Sequence, residues 1–391
     1  MNLTELPPEV LVTIFLYLRT KFVLKTVTRV CKLFYHIITP EAAWKTRFGK
    51  IWPKRLANCD LDPILPRWKE LCHQNEEFDE RWLEPKTKFD SFTINQEFPI
   101  DSVLLLNHGM TLITGSRDRS ISVKDIQNIE NFDNLSELPC TYINDHEGWI
   151  WQLISDPVIS GRFCSGSWDG YIMLWDLQCT DCVSSVYLRT HPICMKWRSN
   201  DMLVAGCFDK TIRVIDPRTF SEVAMLKNHT RTVLCLHVDD DVIVSGGEDK
   251  TLCIFDRRAG KLRKTVKLAS PAFSMHYWND GYNLLRVAGR ENIFYIDTSA
   301  NSYELVKTDP NTGHSRRVND FAQFEGALLT ASADGTLQVH EPSISSPSRL
   351  ILDKRKAEIT RLSTCENILA SASSDGNICL WKLKEQGQIL L

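Results

Sequence analysis

The spacing of apolar residues along this chain of 391 residues changes near residue 89. Before that point, apolar residues recur every three or four positions, which is typical of amphipathic helices. After it, short apolar runs alternate with polar turns, which is typical of the strands of an all-β domain. We therefore predict a small all-α part followed by a large, mainly β part.

The first predicted helix begins at Pro7 and Pro8, where proline is well tolerated because the first N–H groups of a helix have no partner within it. Glu9 follows in the first turn, where a negative charge favours the helix dipole. Apolar residues then lie on two sides of the helix, among them Val12 and Leu16. A helix of this kind has to be covered on more than one side.

Two more helices are predicted in the first 49 residues. An apolar stripe over 23–37 predicts the second helix, and Thr39 is expected to cap the third. Trp44 and Phe48 lie four residues apart on this third helix, which Gly49 is expected to end. Three short helices make only a small core, so the remaining apolar surface indicates a partner protein.

The order of these residues resembles the F-box family, and the resemblance covers the whole helical module. It is carried by Leu6-Pro7-Pro8-Glu9-Val10, Ile14-Phe15-Leu16-Tyr17-Leu18, Val30-Cys31-Lys32-Leu33-Phe34 and Trp44-Lys45. The resemblance implies binding to a Skp adaptor, which connects an F-box protein to a cullin–RING scaffold. It implies that the following residues contact the adaptor or support the contact: Leu6, Pro7, Ile14, Phe15, Leu18, Val30, Cys31 and Trp44.

The alternative is that several of these residues only hold the three helices together. This structural role is at least as strong an expectation for Val27, Val30 and Phe34, which belong to the stripe of the second helix. Phe34 also stands where the family often has tryptophan, and the aromatic character is kept.

Residues 49–88 are predicted to connect the two parts through a helix from about residue 66 to residue 82. Trp68, Leu71, Phe78 and Trp82 are spaced for one helical face, and Pro85 ends the pattern. The F-box family commonly has helices in this place. A rigid connector would fix the distance between the two parts, which a flexible linker would not.

A unit of about 40–45 residues recurs from residue 89 onward, which is the period of a propeller blade. Each unit has a short apolar strand, a polar turn with aspartate and an alternating strand. A seventh, degenerate unit with Val287-Ala288-Gly289-Arg290-Glu291 fills the gap between Asp249 and Asp334. The turn aspartates that agree in register are Asp118, Asp169, Asp209, Asp249, Asp334 and Asp375.

These units resemble the WD-repeat family over most of residues 89–391. The resemblance implies a seven-bladed β-propeller in which a histidine, a serine or threonine, an aspartate and a tryptophan form one hydrogen-bonded set in each full blade. The residues at these positions are His146, Ser165, Asp169, Trp175, His229, Ser245, Asp249, His314, Thr330, Asp334, Ser371, Asp375 and Trp381. The residues that replace a member of the set are Phe255 and His340, each in a tryptophan place, and Arg355 in a histidine place.

We interpret this recurring set as a structural brace. A buried aspartate must accept hydrogen bonds, and an imidazole that is itself bonded to a hydroxyl can donate one. A Ser/His/Asp set that recurs in several blades is not a unique active site, so we predict no catalytic residue. His191 lies two residues closer to its strand than the pattern requires, so its set is an open question.

The last blade needs an outer strand, because open sheet edges aggregate. Residues 89–94 alternate and can supply it from the N-terminal side, and residues 388–391 are the competing segment. We favour the N-terminal strand, since the WD-repeat family usually closes its ring in this way.

In the WD-repeat family, partners usually dock on the face made by the loops before each first strand and the turns ahead of each aspartate. Arginine clusters favour phosphate or carboxylate, and exposed aromatic residues are typical anchors. We hypothesise a protein substrate with an acidic or phosphorylated segment and one apolar anchor; the alternative is ordinary solvated arginine. The residues in these places are Arg117, Trp149, Trp168, Phe208, Arg231, Arg290, Arg316 and Arg317.

Composition limits the other classes of function. The net charge of −3 indicates neither nucleic acid nor a membrane surface, and no apolar run reaches the ~18 residues of a spanning helix. Residues 1–58 hold ten Lys/Arg against three Asp/Glu, which suits an acidic partner; the alternative is ordinary solvated surface. Thirteen cysteines indicate reduced thiols in the cytoplasm or nucleus. Cys179 and Cys182 form one C-x-x-C without a second pair, so we predict no metal and no cofactor.

These patterns together predict a mainly β chain: an F-box in residues 1–48, a helical connector in 49–88 and a seven-bladed WD-repeat propeller in 89–391. The predicted function is the substrate-recognition subunit of an SCF-type E3 ubiquitin ligase, with no active site of its own. A propeller scaffold or peptide reader, whose F-box-like helices serve another assembly, is a second hypothesis. An enzyme is a third, without a phosphate loop, metal cluster or single nucleophile set to support it.

Overall fold

The computed structural model describes residues 5–53, 68–82, 89–129, 138–179, 181–198, 202–278, 283–299, 302–310, 312–340 and 349–384. Its N-terminal part is helical and its remainder is a β-propeller, as the sequence predicts. The helices are α1 Pro8–Phe15, α2 Thr20–Lys25, a 3-10 turn Val27–Arg29, α3 Lys32–Ile38, α4 Glu41–Ile51 and, in the connector, α5 Trp68–Trp82. The predicted start of the connector helix at residue 66 lies outside the described residues.

The second predicted helix is wrong as one continuous element, because the chain breaks it into α2, the 3-10 turn and α3. Thr26 ends α2 with a φ of −114°, far from the ideal helical value, and Cys31 is extended with φ −157° and ψ 165°. The stretch between them is rich in β-branched residues, whose stiff side chains lower helix propensity. The apolar stripe still faces one core, since Val23, Val27 and Phe34 are all buried.

The predicted ends of the third helix also differ from the structure. Thr39 does not cap α4; its hydroxyl donates to the carbonyl of Tyr35 at the end of α3. Pro40 takes the N-cap position, where its φ of −65° suits the chain that enters a helix. Gly49 lies within α4, which continues to Ile51, past residue 48.

The propeller consists of seven four-stranded antiparallel sheets, one per predicted blade, and the degenerate fifth unit forms a complete blade. Blade 1 comprises β2 Ile100–Leu106, β3 Thr111–Ser116, β4 Ile121–Asp125 and β5 Cys140–Ile143. Blade 2 comprises β6 Ile150–Ser155, β7 Arg162–Ser167, β8 Tyr171–Asp176 and β9 Asp181–Tyr187. Blade 3 comprises β10 Pro192–Arg198, β11 Met202–Cys207, β12 Thr211–Asp216 and β13 Ser221–Lys227. Blades 4 and 5 comprise β14 Val233–Val238, β15 Val242–Gly247, β16 Thr251–Asp256 and β17 Leu262–Lys267; and β18 Ser274–Trp278, β19 Leu284–Ala288, β20 Ile293–Asp297 and β21 Glu304–Asp309. Blades 6 and 7 comprise β22 Val318–Phe324, β23 Ala327–Ser332, β24 Thr336–His340 and β25 Arg349–Lys354; and β26 Ile359–Cys365, β27 Ile368–Ser373, β28 Asn377–Leu383 and β1 Phe89–Asn95.

The N-terminal strand closes the ring, as we expected. β1 pairs with β28 in antiparallel register, from Phe89 opposite Leu383 to Asn95 opposite Asn377. The last blade therefore has four strands from both ends of the propeller sequence, and β1 covers the outer edge of β28. The competing segment 388–391 lies outside the described residues.

Hydrogen bonds between inner strands join neighbouring blades around the central channel. Ser102 of blade 1 accepts the backbone N–H of Leu153 in blade 2 at 2.8 Å, and Ser363 of blade 7 accepts that of Leu105 in blade 1 at 2.9 Å. Each such bond satisfies a backbone donor that the sheets leave unpaired. Equivalent contacts join Met195 to Gln152 and Leu362 to Asp320.

Candidate functional site

The F-box presents an apolar surface beside its own core. Of the eight residues that the family implies for adaptor binding, Phe15 and Trp44 are buried, while Leu6, Leu18 and Cys31 are half-buried. The exposed members are Pro7, Ile14 and Val30. Further exposed apolar residues, which the sequence did not single out as contacts, are Val10, Tyr17, Phe22, Leu33 and Tyr35.

Burial shows which of Val27, Val30 and Phe34 only hold the three helices together. Val27 and Phe34 are buried in the F-box core, and Phe34 makes an edge-on ring contact with Phe15 at 5.2 Å. Val30 is 64% exposed, so the core does not need its side chain. Val27 and Phe34 therefore hold the helices together, and Val30 is available to a partner.

A buried arginine joins the F-box to the connector. The guanidinium of Arg47 donates to the carbonyl of Phe15, the last residue of α1, and to the carbonyl of Leu18 just beyond it. It also donates to Glu76 of α5 at 2.8 Å, and Glu76 accepts the N–H and hydroxyl of Thr20 at 2.6 and 2.7 Å. Both modules therefore share one buried polar network, which fixes α5 against α1, α2 and α4.

The connector also packs on the propeller. Trp82 lies 5.0 Å from Phe89 and 6.2 Å from Phe324, between ring centroids, and its Nε1 donates to the carbonyl of Glu325 at 3.1 Å. Arg81 forms an ion pair with the Glu325 carboxylate at 2.6 Å. Glu325 lies in the turn between the first and second strands of blade 6, so α5 rests on the edge of the ring that carries these turns. We call this edge the lower rim.

The braces occur where the repeats are complete. His146 bonds Asp169 through Nδ1 at 2.7 Å and Ser165 through Nε2 at 2.6 Å, and the indole of Trp175 donates to Ser165 at 2.7 Å. An ionised carboxylate only accepts, so Nδ1 carries the proton. Burial opposes the charge of Asp169, but hydrogen bonds from His146 and from the backbone outweigh it and lower the pKa of this carboxyl.

Two other blades repeat this geometry with substitutions. His229 bonds Asp249 at 3.0 Å and Ser245 at 2.8 Å, with Phe255 buried in the tryptophan place. In blade 6, His314 lies 3.3 Å from Asp334 and 2.7 Å from Thr330, which also bonds His340 at 2.8 Å. Burial disfavours the charged form of both aspartates. Hydrogen bonds outweigh this effect and lower the pKa of both carboxyls, and the strongest of them come from the hydroxyls of Thr251 and Thr336.

In blades 7 and 1 other side chains take the histidine place. In blade 7, Arg355 donates to Ser371, while Asp375 accepts two bonds from Asn377. In blade 1, Gln96 donates to Thr114 at 3.1 Å and to Ser122 at 2.8 Å, an arrangement that the sequence did not suggest. Trp381 is buried in blade 7.

In blade 3, His191 does not form a brace. Asp209 accepts bonds from Thr211 and from Arg213 instead. The His191 ring stacks on Trp168 with centroids 4.5 Å apart and an interplanar angle of 5°. The displaced histidine therefore belongs to the surface of the propeller rather than to its turn.

The loops before the inner strands and the turns ahead of the aspartates form the opposite edge of the ring, which we call the upper rim. Backbone bonds tie each turn to its loop: Trp168 N–H donates to Trp149 O at 2.9 Å, and Phe208 N–H donates to His191 O at 2.9 Å. Ala333 N–H donates to Arg317 O at 3.0 Å in the same way. The residues that the sequence assigned to a substrate surface thus share the rim opposite to α5.

An aromatic cluster covers the upper rim of blades 2 and 3. Trp168 lies 6.5 Å from Trp149, 5.8 Å from Trp151 and 5.6 Å from Phe208. Trp149 and Phe208 are 44% and 51% exposed. Aromatic side chains that stay this exposed on a rigid edge are typical anchors for a partner.

The arginines of the upper rim divide into two groups. Arg117 forms a bidentate pair with Asp101 at 2.8 and 3.0 Å, and Arg317 pairs with Glu358 at 2.8 Å, so their charges are largely neutralised. Arg290 and Arg316 are exposed. Arg231 is exposed as well, and its contact with Glu248 is long, at 3.5 Å.

The sequence analysis missed one ring of residues at the mouth of the central channel. Six inner strands have a register shift just after their first residue, which leaves the next residue unpaired. This repeat position could have been found in the sequence two or three residues after the loop residues Trp149, Arg231 and Arg317, had the units been aligned there. The unpaired residues are Asp101, Trp151, Ile193, Leu234, Asn319 and Thr360, and all line a cavity of about 170 Å³.

The described residues offer little to hold a metal or to cross a membrane. Within them, no group of three or more His, Cys, Asp or Glu side chains is placed to share a metal ion. No helix in this part of the chain is both long and apolar enough to span a bilayer. Cys179 is exposed and Cys182 is half-buried; burial raises the pKa of Cys182.

Comparison with known proteins agrees with this architecture. The F-box-like family model matches residues 3–50, and the model of the WD domain, G-beta repeat, matches residues 138–176, 181–216, 220–256 and 350–382. The chain is 30% identical over 402 residues to F-box/WD repeat-containing protein 9 of Homo sapiens, with 98% of this chain and 83% of that protein covered. It is 31% identical over 404 residues to the protein of the same name from Bos taurus, with the same coverage.

A third relative is the F-box/WD repeat-containing protein mec-15 of Caenorhabditis elegans, which is 30% identical over 266 residues and covers 66% of this chain and 65% of its own length. Fold and module order thus define an F-box protein with a propeller. The chain belongs to the F-box/WD repeat-containing proteins.

Proposed function

We propose that this chain is the substrate-recognition subunit of an SCF-type ubiquitin ligase. Its F-box would bind a Skp adaptor, and its propeller would hold a protein target. The observation that carries the proposal is the continuous packing from F-box to propeller: Arg47 and Glu76 fix α5 to the F-box, and Trp82 fixes it to blade 6. A receptor built in this way holds a target at a set distance from the ligase.

The chain would contribute no chemistry of its own to ubiquitin transfer. Binding both the ligase and the target raises the effective concentration of a target lysine near the ubiquitin-loaded enzyme. The Ser/His/Asp sets support this assignment because they are buried and repeated, which suits structure rather than a unique nucleophile.

The adaptor contact is tested by exchanging exposed apolar residues of the F-box. Ile14→Asp with Val30→Asp should abolish co-purification with the adaptor, because charges would replace apolar anchors that the core does not require. The matched control is Leu262→Asp, on an outer strand of the propeller, where the leucine is similarly exposed. If the double variant still binds the adaptor as wild type does, the proposed function is wrong.

For the target, we propose an acidic or phosphorylated segment that engages the exposed arginines of blades 4 to 6, with an apolar side chain against the aromatic cluster. Arg231, Arg290 and Arg316 support this proposal because they are exposed, unlike the paired Arg117. Trp149 and Phe208 offer the apolar contact.

Arg231→Glu with Arg316→Glu should weaken target capture and spare adaptor binding, and the affinity of the wild type should fall with added salt. Arg258→Glu with Arg218→Glu is a matched control, since both arginines are exposed after the third strand of their blades, away from the upper rim. Normal capture by the first double variant would place the target elsewhere on the ring.

A further inference from the structure

The mouth of the central channel, on the side of the upper rim, is a cavity with two unlike walls. Each blade contributes one residue at the equivalent position, at or directly before the beginning of its inner strand. Blades 2 to 5 form an apolar wall, and blades 6, 7 and 1 form a polar wall. The apolar wall consists of Trp151, Ile193, Leu234 and Phe273, and the polar wall of Asn319, Thr360 and Asp101, with Arg117, Arg317, Glu358 and Arg361 around it.

This channel mouth is accessible and has room for one side chain. Its volume of about 170 Å³ lies below the roughly 300–1,000 Å³ of pockets that hold whole small molecules. Trp151, Leu234 and Phe273 are half-buried, so part of the apolar wall faces solvent. The Trp151 ring also lies 5.8 Å from that of Trp168, which joins the channel mouth to the aromatic cluster of the upper rim.

The charges along the polar wall balance among the described residues. Three arginines line it, and each is paired with a carboxylate. The pairs are Arg117 with Asp101, Arg317 with Glu358 and Arg361 with Asp320, at 2.8, 2.8 and 3.8 Å between nitrogen and oxygen. A charged side chain would lose its hydration here without gaining an unpaired opposite charge. The channel mouth therefore favours a neutral guest.

The polar wall keeps hydrogen-bond acceptors that the chain does not use. Asn319 Nδ2 donates to the Glu358 carboxylate at 2.9 Å and to the carbonyl of Ile359 at 2.7 Å, which leaves Asn319 Oδ1 without a donor among the described residues. This oxygen is not one of their buried unpaired atoms, so a guest can reach it. The hydroxyl of Thr360 donates to the carbonyl of Ile100 at 2.7 Å and can still accept a bond.

We propose that the target inserts one tyrosine side chain into the channel mouth, with its ring against the apolar wall and its hydroxyl bonded to the polar wall. A phenol suits both walls, because it combines a large apolar body with a group that donates and accepts hydrogen bonds. A leucine or phenylalanine side chain would cover the polar wall without bonding to it, which is costly. The inference rests on the proposed function, since it names the side chain by which a target is recognised.

Binding of short peptides to the full-length chain tests the proposal. N-acetylated and C-amidated Gly-Tyr-Gly is compared with the peptides that have phenylalanine, leucine, lysine or glutamate in the middle. In an NMR titration the tyrosine peptide should shift the indole N–H signal of Trp151, which is identified by its loss in Trp151→Phe. The phenylalanine peptide should bind about threefold to tenfold more weakly, because it forms one hydrogen bond fewer. The leucine, lysine and glutamate peptides should also bind more weakly than the tyrosine peptide.

A variant of the apolar wall completes the test. Leu234→Gln brings a polar group against the ring and should weaken binding of the tyrosine peptide about tenfold or more. Leu177→Gln is the matched control, because Leu177 is also half-buried but follows the third strand of blade 2, away from the upper rim. The control should bind the peptide as wild type does, and the melting temperatures of both variants show that each is folded.

Equal affinity for the tyrosine and phenylalanine peptides would overturn the proposal. So would tighter binding of a charged peptide, unchanged binding by Leu234→Gln, or no binding of the tyrosine peptide by the wild type. The proposed function fails separately: if the wild type prefers the tyrosine peptide but does not co-purify with the adaptor, the ligase assignment is wrong and the preference of the channel mouth stands.

Discussion

Removal of the turn carboxylate of blade 2 is a direct measure of what a brace contributes. The carboxylate of Asp169 accepts three bonds, from His146 Nδ1 at 2.7 Å, Glu147 N–H at 3.0 Å and Tyr171 N–H at 2.8 Å. In Asp169→Ala the imidazole keeps a buried donor without an acceptor, since the His146 side chain is only 1% exposed. The two backbone groups belong to exposed residues, so water can replace the carboxylate there.

The expected loss follows from these three bonds. One buried, unpaired donor costs about 1–3 kcal/mol, and two backbone donors that turn to water add about 0.5 kcal/mol each. We therefore expect Asp169→Ala to lower the free energy of unfolding by about 2–4 kcal/mol. For a propeller of roughly 300 residues that corresponds to a fall of about 3–6 °C in melting temperature, measured by calorimetry of the full-length protein near neutral pH.

Asp118→Ala is the matched control within the same fold. Asp118 occupies the equivalent turn of blade 1, but its bonds come from the N–H and hydroxyl of Ser120, and the residue is exposed. We expect it to cost less than about 1 kcal/mol. A loss for Asp169→Ala no larger than that for Asp118→Ala would refute the idea that the histidine brace stabilises the blade.

Two further predictions concern acid and the connector. The lowered pKa of Asp169 stabilises the folded state above the unfolded-state pKa of about 3.9, and this stability is lost as pH falls through the folded-state pKa. The melting temperatures of wild type and Asp169→Ala should therefore converge below about pH 4; a constant gap down to pH 3 would contradict this. Trp82→Ala should remove about 3–5 kcal/mol of packing between α5 and the propeller and speed amide exchange in α5. Unchanged exchange there would mean that Trp82 does not hold the connector.

Much of the fold could be predicted from the sequence because the repeat specifies it locally. An aspartate in a tight turn between two short strands needs the same neighbours in every blade, so its recurrence in register indicates each blade. The degenerate fifth unit has no such aspartate, yet its apolar strands still pair as β18–β21. The order of F-box residues likewise indicated the helical module before its geometry was known.

The break in the second helix escaped the sequence analysis because helical spacing reports which face is buried, not whether the helix is continuous. Val23, Val27 and Phe34 share a core across two helices and a 3-10 turn. Helix propensity was a weaker signal in the sequence than helical spacing. Here the low propensity of the β-branched residues around Thr26 accounts for the break in the helix.

The charge of the upper rim could not be predicted from residue types alone. Arg117 is neutralised by Asp101, which a register shift in β2 leaves unpaired in the ladder, and Arg317 by Glu358 of the next blade. The two residues are 16 positions apart in the first pair and 41 positions apart in the second, so these pairs depend on how strands and blades pack. Arg231 makes only a long contact with the Glu248 carboxylate, at 3.5 Å, and both side chains stay exposed.

If this chain couples a ligase to a target, its removal should raise the abundance of the target, and only a chain with a working F-box should restore it. In cells from which the chain has been removed, the abundance of all proteins is compared after re-expression of the wild type, of the Ile14→Asp/Val30→Asp double variant, or of Leu262→Asp. We expect a set of proteins that accumulate without the chain and return to normal abundance with the wild type and with Leu262→Asp. Their abundance should stay high with the double variant, although the double variant still binds them. Restoration by the double variant to the same level as by the wild type would contradict it, because the targets would then be controlled without the F-box.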